Sequence, residues 1–560
     1  MRFRKVLSTG IAAMLSSSML LVACSGNNGD VKPGNSPGTG SAAASKEPAK
    51  AAEKPDPFGK YDPPIEVTSV REMNSAWKFP SDQTMENNVW TKGYEQDLGM
   101  KVKYLWTSDQ YEQKLNLTIA SGQLPDVMAV NATQLQQLAD AGQLADLTDV
   151  YQQYASPVTK EYLEKDGGAS MRAATLNGKL LALPFTASGY DQAPLLWVRT
   201  DWLKKLNLPE PKTMQDVFAI AEAFTTQDPD GNQKNDTFGL GATKGLYGHM
   251  GTLEGFFNGY HVYPGKWVKD ASGKLVYGGV QPEMKAALAK LNEMYKKGQI
   301  DSEFGVRDGN KLAESLTSGK LGMFFGEMWA SLFPLQDGKN LNPEMDWKAY
   351  PLPSIDGKPA KPQIGLGTVE YYVVKKNFKN PEVVVKLMNY YLRQCLDPNT
   401  RETFSYKDGM EFYRFSIVKS SSVTSNIDAY LDVKGALETK DTSKMKVESN
   451  KVYYEAVDKF MNQGDISGWG YTRVFGPGGS QSLLHHYFTN NGFQRDEFFG
   501  APTPSMGDKI PTLGKMEVEQ FTKIIMGAAP IDSFDEFAAN WNKLGGEQVT
   551  KEVNDWKAKQ

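Results

Sequence analysis

The stretch MKVKYLWTSDQYEQKLNLTIASGQLPDVMAVNATQLQQLADAG, residues 100–142, decides the fold. MKVKYLW (100–106) alternates β-branched or apolar residues with polar ones, the pattern of a strand. SDQYEQKLNLTIASG (108–122) opens on Ser and Asp, residues that cap helix N-termini. PDVMAV (125–130) reads as another strand and ATQLQQLADAG (132–142) as another helix. Upstream, IEVTSV (65–70) and VWTKGYEQDLG (89–99) repeat the pair. Three successive strand–helix units predict a mostly parallel sheet with helices on both faces. Ligands of such sheets bind beyond the carboxyl ends of the strands. Asn131, which follows the third strand, is therefore a candidate contact.

Later segments continue the α/β pattern. LNGKLLALPF (176–185) predicts a hairpin over Asn177-Gly178. APLLWVRTDWLKKLNL (193–208) is a strand feeding a short helix, with Trp202 assigned to helix packing. TMQDVFAIAEAF (213–224) places Val217, Ile220, Ala221 and Phe224 on one helical face. PEMKAALAKLNEMYKKG (282–298) does the same with Met284, Leu288, Leu291 and Tyr295. GKLGMFFGEMWASLF (319–333) is a strand running into a loop and helix, TVEYYVVKKN (368–377) a strand, and PEVVVKLMNYYLRQC (381–395) a buried helix. The last third is mainly helical.

At 560 residues the chain is too long for one ordinary core. Its 40% hydrophobic and 11% aromatic content suffices for packed interiors. The formal charge is −4, and no basic stripe with interleaved aromatics appears, so nucleic acid is not an expected partner.

The N-terminus carries an address. MRFRK is a positive n-region, and Val6 to Ala23 is apolar but interrupted by Ser16, Ser17 and Ser18, as in a signal segment rather than a spanning helix. It ends in LVAC, Leu21 to Cys24, which resembles the bacterial lipobox in which the Cys is acylated and becomes the mature N-terminus. Losing Arg2, Arg4 and Lys5 with this leader makes the mature chain more acidic. Residues 25–64 are rich in Gly, Pro, Ser, Ala and Lys, the composition of a disordered tether. Cys395, the other cysteine, has no partner, which excludes a disulfide framework.

GQLPDVMAVNATQLQQLADAGQLADLT (122–148), LLWVRTDWLKKLNLPEPKTMQDVFAIAEAF (195–224), GKLGMFFGEMWA (319–330) and the tail from Ile531 to Gln560, with the lipobox and tether, resemble the extracellular solute-binding lipoproteins of bacterial ABC sugar importers. More narrowly, these segments are similar to the group that includes the alginate-oligosaccharide binders and many Gram-positive polysaccharide-uptake lipoproteins. The resemblance implies a two-lobed, periplasmic-binding-protein-like fold with a hinge of several crossings. The expected division is a signal peptide over 1–23, a tether over 24–64, an N-terminal lobe from 65–187 and 363–430, and a C-terminal lobe from 188–362 and 431–560. It also implies an oligosaccharide ligand, ABC permease subunits as partners, a lipid anchor at Cys24 on the extracellular face of the membrane, and a monomer.

TTQDPDGNQKNDTFGL (225–240) sets oxygen-bearing side chains at alternate positions. Asp228, Asp230 and Asn232 fill positions one, three and five of a calcium loop, the Lys234 carbonyl would be the seventh, and Asp236 the ninth. Position six is Gln233 where Gly is expected, and position twelve is Gly239 instead of a bidentate Glu. The resembling family has such a loop after a helix, often with an acidic ligand at position ten, here Thr237. A structural calcium ion is expected. The competing reading is a solvated Asp/Asn/Gly turn.

Sugars present C–H faces that stack on Trp and Tyr and hydroxyls that need fixed polar partners. Eleven Trp and twenty-five Tyr exceed what the core requires. Candidates near expected cleft loops are Trp77 after the first strand, Asn131, Tyr190 in SGYDQ, Glu327 and Trp329 in FFGEMWA, Tyr371 beside a later crossing, and Trp469 and Tyr471 in SGWGYTRVFGPGG. Trp329 matches the segment in which sugar-binding relatives carry a stacking Trp. No G-x-S-x-G, H-E-x-x-H or phosphate loop occurs, and four histidines are few. A binding protein rather than an enzyme is expected. Alternatives are a peptide or other non-sugar ligand, or a surface glycosidase built on two carboxylates.

Overall fold

A computed structural model describes residues 55–73, 77, 79–405, 407, 410–445, 447 and 450–560. The leader over 1–23, Cys24 and the tether through residue 54 lie outside the described residues. Along the chain, β1 (Ile65–Glu72), β2 (Met100–Ser108) and β3 (Val127–Val130) alternate with helices. The hairpin β4 (Thr175–Leu176) and β5 (Lys179–Leu180) turns over Asn177 and Gly178, both in the left-handed region that a tight hairpin needs. Then follow β6 (Leu183–Thr186), β7 (Leu195–Arg199), β8 (Phe238–Gly241), the hairpin β9 (Trp267–Lys269) and β10 (Leu275–Tyr277), β11 (Leu321–Gly326), β12 (Trp347–Tyr350), β13 (Gln363–Ile364), β14 (Thr368–Val374) and β15 (Gln494–Arg495). Among the described residues no helix is long and apolar enough to cross a membrane.

Two sheets carry the architecture. The first has the order β2-β1-β3-β14-β6, and the second β12-β7-β11-β8. β1 runs parallel to β2 and β3, as the strand–helix units predict. β14, however, is antiparallel to both β3 and β6, so the sheet is mixed. The register explains why. Thr368, the first residue of β14, pairs with Thr186, the last of β6. The chain therefore leaves this sheet at one edge and re-enters it there, which forces the returning strand to run backwards. The second sheet mirrors the arrangement: Leu195, which opens β7, pairs with Gly326, which ends β11.

Three segments meet at that edge. Ala187 N–H donates to the Gly367 carbonyl over 2.7 Å, and Ser421 N–H donates to the Thr186 carbonyl over 2.9 Å. Gly367 permits the closest approach, since a Cβ there would stand 2.6 Å from the Ala187 oxygen.

The apolar faces read from sequence are buried as expected. Val217, Ile220, Ala221 and Phe224 of the helix Met214–Thr226 are inside, with Met284, Leu288 and Leu291 of Glu283–Lys296. Tyr295 is the exception: it stays half-buried and donates its hydroxyl to the Ser302 carbonyl, while Met294 takes the inward place. The core under the first sheet draws on Val67 to Leu183 and Tyr371 to Val418. The second sheet packs two cores, one completed by the C-terminal helices from Met506 onward and one by the helices between Ser425 and Thr489.

The tether meets the body earlier than residue 64. Lys386 donates to the Gly59 carbonyl, Asn389 to that of Pro57, and the Tyr61 hydroxyl to Glu382, all on the buried face or edge of one helix, Val383–Leu396, and its N-cap. Polar groups half-hidden on that helix need partners, and this Pro-rich strap supplies them.

Candidate functional site

All six residues of β11 are buried, so the strand is a rigid rod whose carboxyl end lies at the crossing edge. Gly326 ends it. Its missing side chain is required less by the turn than by space, because a Cβ would sit 2.9 Å from the Phe324 ring and 3.4 Å from the His249 carbonyl. Glu327 follows, nearly buried, its N–H donating to the His249 carbonyl over 3.3 Å and its own carbonyl accepting Trp197 Nε1–H over 3.1 Å. One carboxylate oxygen lies 2.7 Å from His249 Nδ1, and the other accepts the indole N–H of Trp329. Trp329 is only half-buried and leans on the third core. The turn is pinned from beneath, where Ser480 donates to the Met328 carbonyl and Ser331 to that of Gly470.

Acidic groups gather around Glu327. Asp191 accepts Asn426 at 2.7 Å and Gln481 at 2.9 Å; burial pushes its carboxyl up against those bonds, and Glu327 adds to the push. Glu254 accepts Thr252 and Gln363 at 3.1 and 3.0 Å, and burial raises it while Lys266 opposes and Glu327 adds. Glu327 thus holds one half-exposed indole, which can stack a ring, and two further hydrogen-bonded carboxylates act on Glu327.

On the first sheet the strand ends present a different surface. Trp77 is half-buried under the Arg414 guanidinium, 5.8 Å from the ring centroid. Arg414 is held by Glu411 and lends its carbonyl to Arg71 at 2.6 Å. Lys419 lies 5.1 Å over the Phe185 ring, where burial, reinforced by Arg71, pushes its ammonium down to about 8. Asn131 does follow β3 at this edge, but its side chain caps the helix Ala132–Asp140, accepting Gln134 N–H at 2.9 Å and donating to Glu112.

Three of the expected contacts are buried in packing, and a fourth, Tyr471, is half-buried against a neighbouring ring. Tyr190 is 2% exposed, wedged between Phe488 and Phe493 with its hydroxyl bound by Arg495. Tyr371 belongs to the first core, in register with Val130. Trp469 has no exposed surface and donates its indole N–H to Asp346 over 2.8 Å. Tyr471 stacks on Tyr453, with centroids 5.7 Å apart. Their surroundings in sequence placed these rings near loops, but Tyr371 lies within β14, Trp469 and Tyr471 within the helix Trp469–Phe475, and Tyr190 in a short turn between β6 and β7. His249, Asp191 and Glu254 were not singled out from sequence. Only Asp191, beside Tyr190 in SGYDQ, carried any signal.

The acidic loop is exposed and self-bonded. Asp228 accepts the N–H groups of Gly231, Asn232 and Gln233, each at 3.0 Å. Gln233 adopts φ 61°, the left-handed turn that a calcium loop needs at its sixth position. Lys320 donates to Asp236 at 2.6 Å and Asp230 at 3.3 Å, and holds the Asp236 carboxyl below its ordinary range. Among the described residues no three acidic, His or Cys side chains converge on a common point. The donors are all oxygen and the backbone turns correctly, so the residues fit a hard cation in kind. In the arrangement seen, Lys320 supplies the positive charge.

A family model described as bacterial extracellular solute-binding protein matches residues 76–394. The chain is 25% identical over 500 residues to Lipoprotein LipO of Bacillus subtilis (strain 168), spanning 85% of this chain and 89% of that one. It is 28% identical over 232 residues to the polygalacturonan/rhamnogalacturonan-binding protein YtcQ of the same organism, spanning 40% of this chain and 43% of that one. A solved HMO binding, ABC-transporter-associated solute binding protein from Bifidobacterium longum infantis ATCC 15697 superposes with a TM-score of 0.60 at 15% identity, covering 88% of this chain and 98% of that one. That likeness is one of fold: two α/β lobes joined by several crossings.

Proposed function

The chain belongs to the bacterial extracellular solute-binding protein family, and from that premise we propose that it captures an oligosaccharide and delivers it to an ABC importer. The observation that carries this reading is the pair at the end of β11, where a half-exposed indole is held by a nearly buried carboxylate. An indole fixed by its N–H offers a flat face to sugar C–H groups, while Glu327 offers acceptor oxygens to hydroxyls. Polysaccharide-binding YtcQ among the relatives supports the same ligand class.

The lobes follow the cores, the first from 65–187 with 368–418 and the second from 188–364 with 425–560, hinged at the three segments that meet beyond Thr186. The expected boundaries at 363 and 430 shift because Ile364, Ile427 and Tyr430 pack in the second sheet's core and residue 430 lies inside the helix Ser425–Thr439. Each contributes a wall: Trp77 from the first sheet's edge, Glu327 and Trp329 from the second. Closure about the hinge buries the ligand, and the closed form is the one a permease recognises. The protein is a monomer, anchored by lipid at Cys24 on the outer face of the membrane, and releases its ligand unaltered. A calcium ion held by Asp228, Asp230, Asn232, Asp236 and the Lys234 carbonyl would supply a fixed charge that staples the loop, displacing Lys320 from the carboxylates.

Thermal melting across oligogalacturonides, rhamnogalacturonan fragments, fructo-oligosaccharides and short peptides tests the reading. A ligand that binds only the folded state raises the melting temperature by mass action. A rise with one sugar class supports it, and a rise with peptides alone contradicts it.

A further inference from the structure

Glu517 lies in the twenty-residue helix Met506–Ile525 and has no exposed surface. One carboxyl oxygen accepts the hydroxyl of Tyr247, a residue 270 positions away in sequence. The other is accommodated by Gly279, where a Cβ would stand only 2.5 Å away. Tyr277 lines the same space and Glu254 acts on Tyr247 from the neighbouring helix, but among the described residues no cation faces the carboxyl. Burial pushes the group up to about 7, with the tyrosine hydroxyls opposing. An apolar residue at this position would cost the fold less. The carboxyl's one firm bond is to Tyr247, so its consequence is to be sought there.

Tyr247 lies in a loop that main-chain bonds tie to β11 on one side, through the Met250–Gly326 bridge and Gly251 N–H to the Phe325 carbonyl, and that turns sharply around Tyr247 on the other. Leu246 and Gly248 on either side of it have φ of 59° and 117°, a backbone that needs outside support. Two residues after Tyr247 comes His249, whose side chain is 73% exposed. Little packing fixes that imidazole, yet its Nδ1 meets Glu327 at 2.7 Å and its carbonyl accepts the Glu327 N–H. The position of His249 is thus set by where the loop backbone runs: the Met250–Gly326 bridge ties it after His249, and before His249 the hydroxyl of Tyr247 ties it to a buried group of the C-terminal helices.

We propose that Glu517 is a positioning residue for the ligand site, fixing through Tyr247 the loop that carries His249 against Glu327. This rests on the reading that Glu327 and Trp329 face the ligand. Glu517 itself touches neither, and acts from the far side of the lobe by holding one loop in register. The carboxyl is suited to this because it accepts the Tyr247 hydroxyl in a buried site, with the Tyr277 hydroxyl as its second neighbour.

Histidine-selective NMR tests the proposal without any ligand, since only His249, His261, His485 and His486 report. Tyr247→Phe and Glu517→Ala are each expected to shift the ring signals of His249 while the other three stay in place. Glu517→Gln keeps an acceptor oxygen and the volume, and should leave His249 where it is in the wild type. Unmoved His249 signals in Tyr247→Phe and Glu517→Ala would overturn the proposal, as would a Gln variant that shifts them as far as Ala does. Should Glu517→Ala fail to fold, Tyr247→Phe, which deletes one hydroxyl, decides alone. Because the signal is read without sugar, its failure leaves the oligosaccharide reading standing, and failure of every sugar in the melting panel leaves this result intact.

Discussion

The indole N–H of Trp329 donates to the carboxylate of Glu327 two residues before it, so a half-exposed ring is oriented by a nearly buried acid. The bond fixes which face of the ring looks outward. Trp329→Phe keeps an aromatic face and loses the donor, leaving Glu327 bound to His249 alone. A loosened, smaller ring should weaken oligosaccharide binding by up to about tenfold, equivalent to about 1.4 kcal/mol. Calorimetry checks it, with melting unchanged as the control.

Trp469 makes the opposite case. With no exposed surface and its N–H on Asp346, Trp469→Phe should lower stability by about 1–3 kcal/mol, the cost of one lost hydrogen bond and of the space left by the smaller ring, while Asp346 keeps Arg473 and Thr200. Ligand affinity of the folded variant should not change. An affinity loss with unaltered denaturant midpoint would return Trp469 to the site.

The acidic loop gives a metal-dependent prediction. Calcium should raise the melting temperature and a chelator should lower it, because binding favours only the folded chain. Asp228→Ala combined with Asp230→Ala should abolish the response. A chelator-insensitive wild type would leave the loop as a turn bridged by Lys320.

Glu517 makes stability depend on pH. Its carboxyl is raised from the ordinary 4.5 to about 7 in the fold, chiefly by burial. Between those values the folded chain keeps a proton that the unfolded chain has lost. The contribution is complete below 4.5 and disappears as pH rises through about 7, by an amount on the order of 3 kcal/mol. Asp191 and Glu254 shift in the same direction, so the reading is a difference. Urea midpoints of Glu517→Gln should fall less steeply with pH across this window than those of the wild type. Parallel curves would remove Glu517 as the source.

Cys24 lies in LVAC at the end of the leader. Cys24→Ala should release the protein into the medium, measured by immunoblot of cell and medium fractions. Undiminished retention on the membrane would remove the lipid anchor.

Much of the fold was legible because periodicity is local. The three strand–helix units, the Asn177-Gly178 hairpin and the buried face of Met214–Thr226 follow from residues within a few positions of each other. The reversed direction of β14 was not, because it depends on Thr368 meeting Thr186 across the crossing. The site divides the same way. Glu327 and Trp329 stand next to a recognisable strand end, whereas His249 joins them through a contact 78 residues distant. Tyr190, Tyr371 and Trp469 misled because a buried ring and a stacking ring have the same composition, and only burial separates them.

Calorimetric titration of the wild type and Trp329→Ala with the oligosaccharide that most raises the melting temperature tests the central claim most directly. The account predicts saturable one-site heat for the wild type, sugar recovered intact, and affinity in the variant reduced roughly ten- to a hundredfold. Equal affinity in the two proteins, or shortened sugar products after incubation with the wild type, would contradict it.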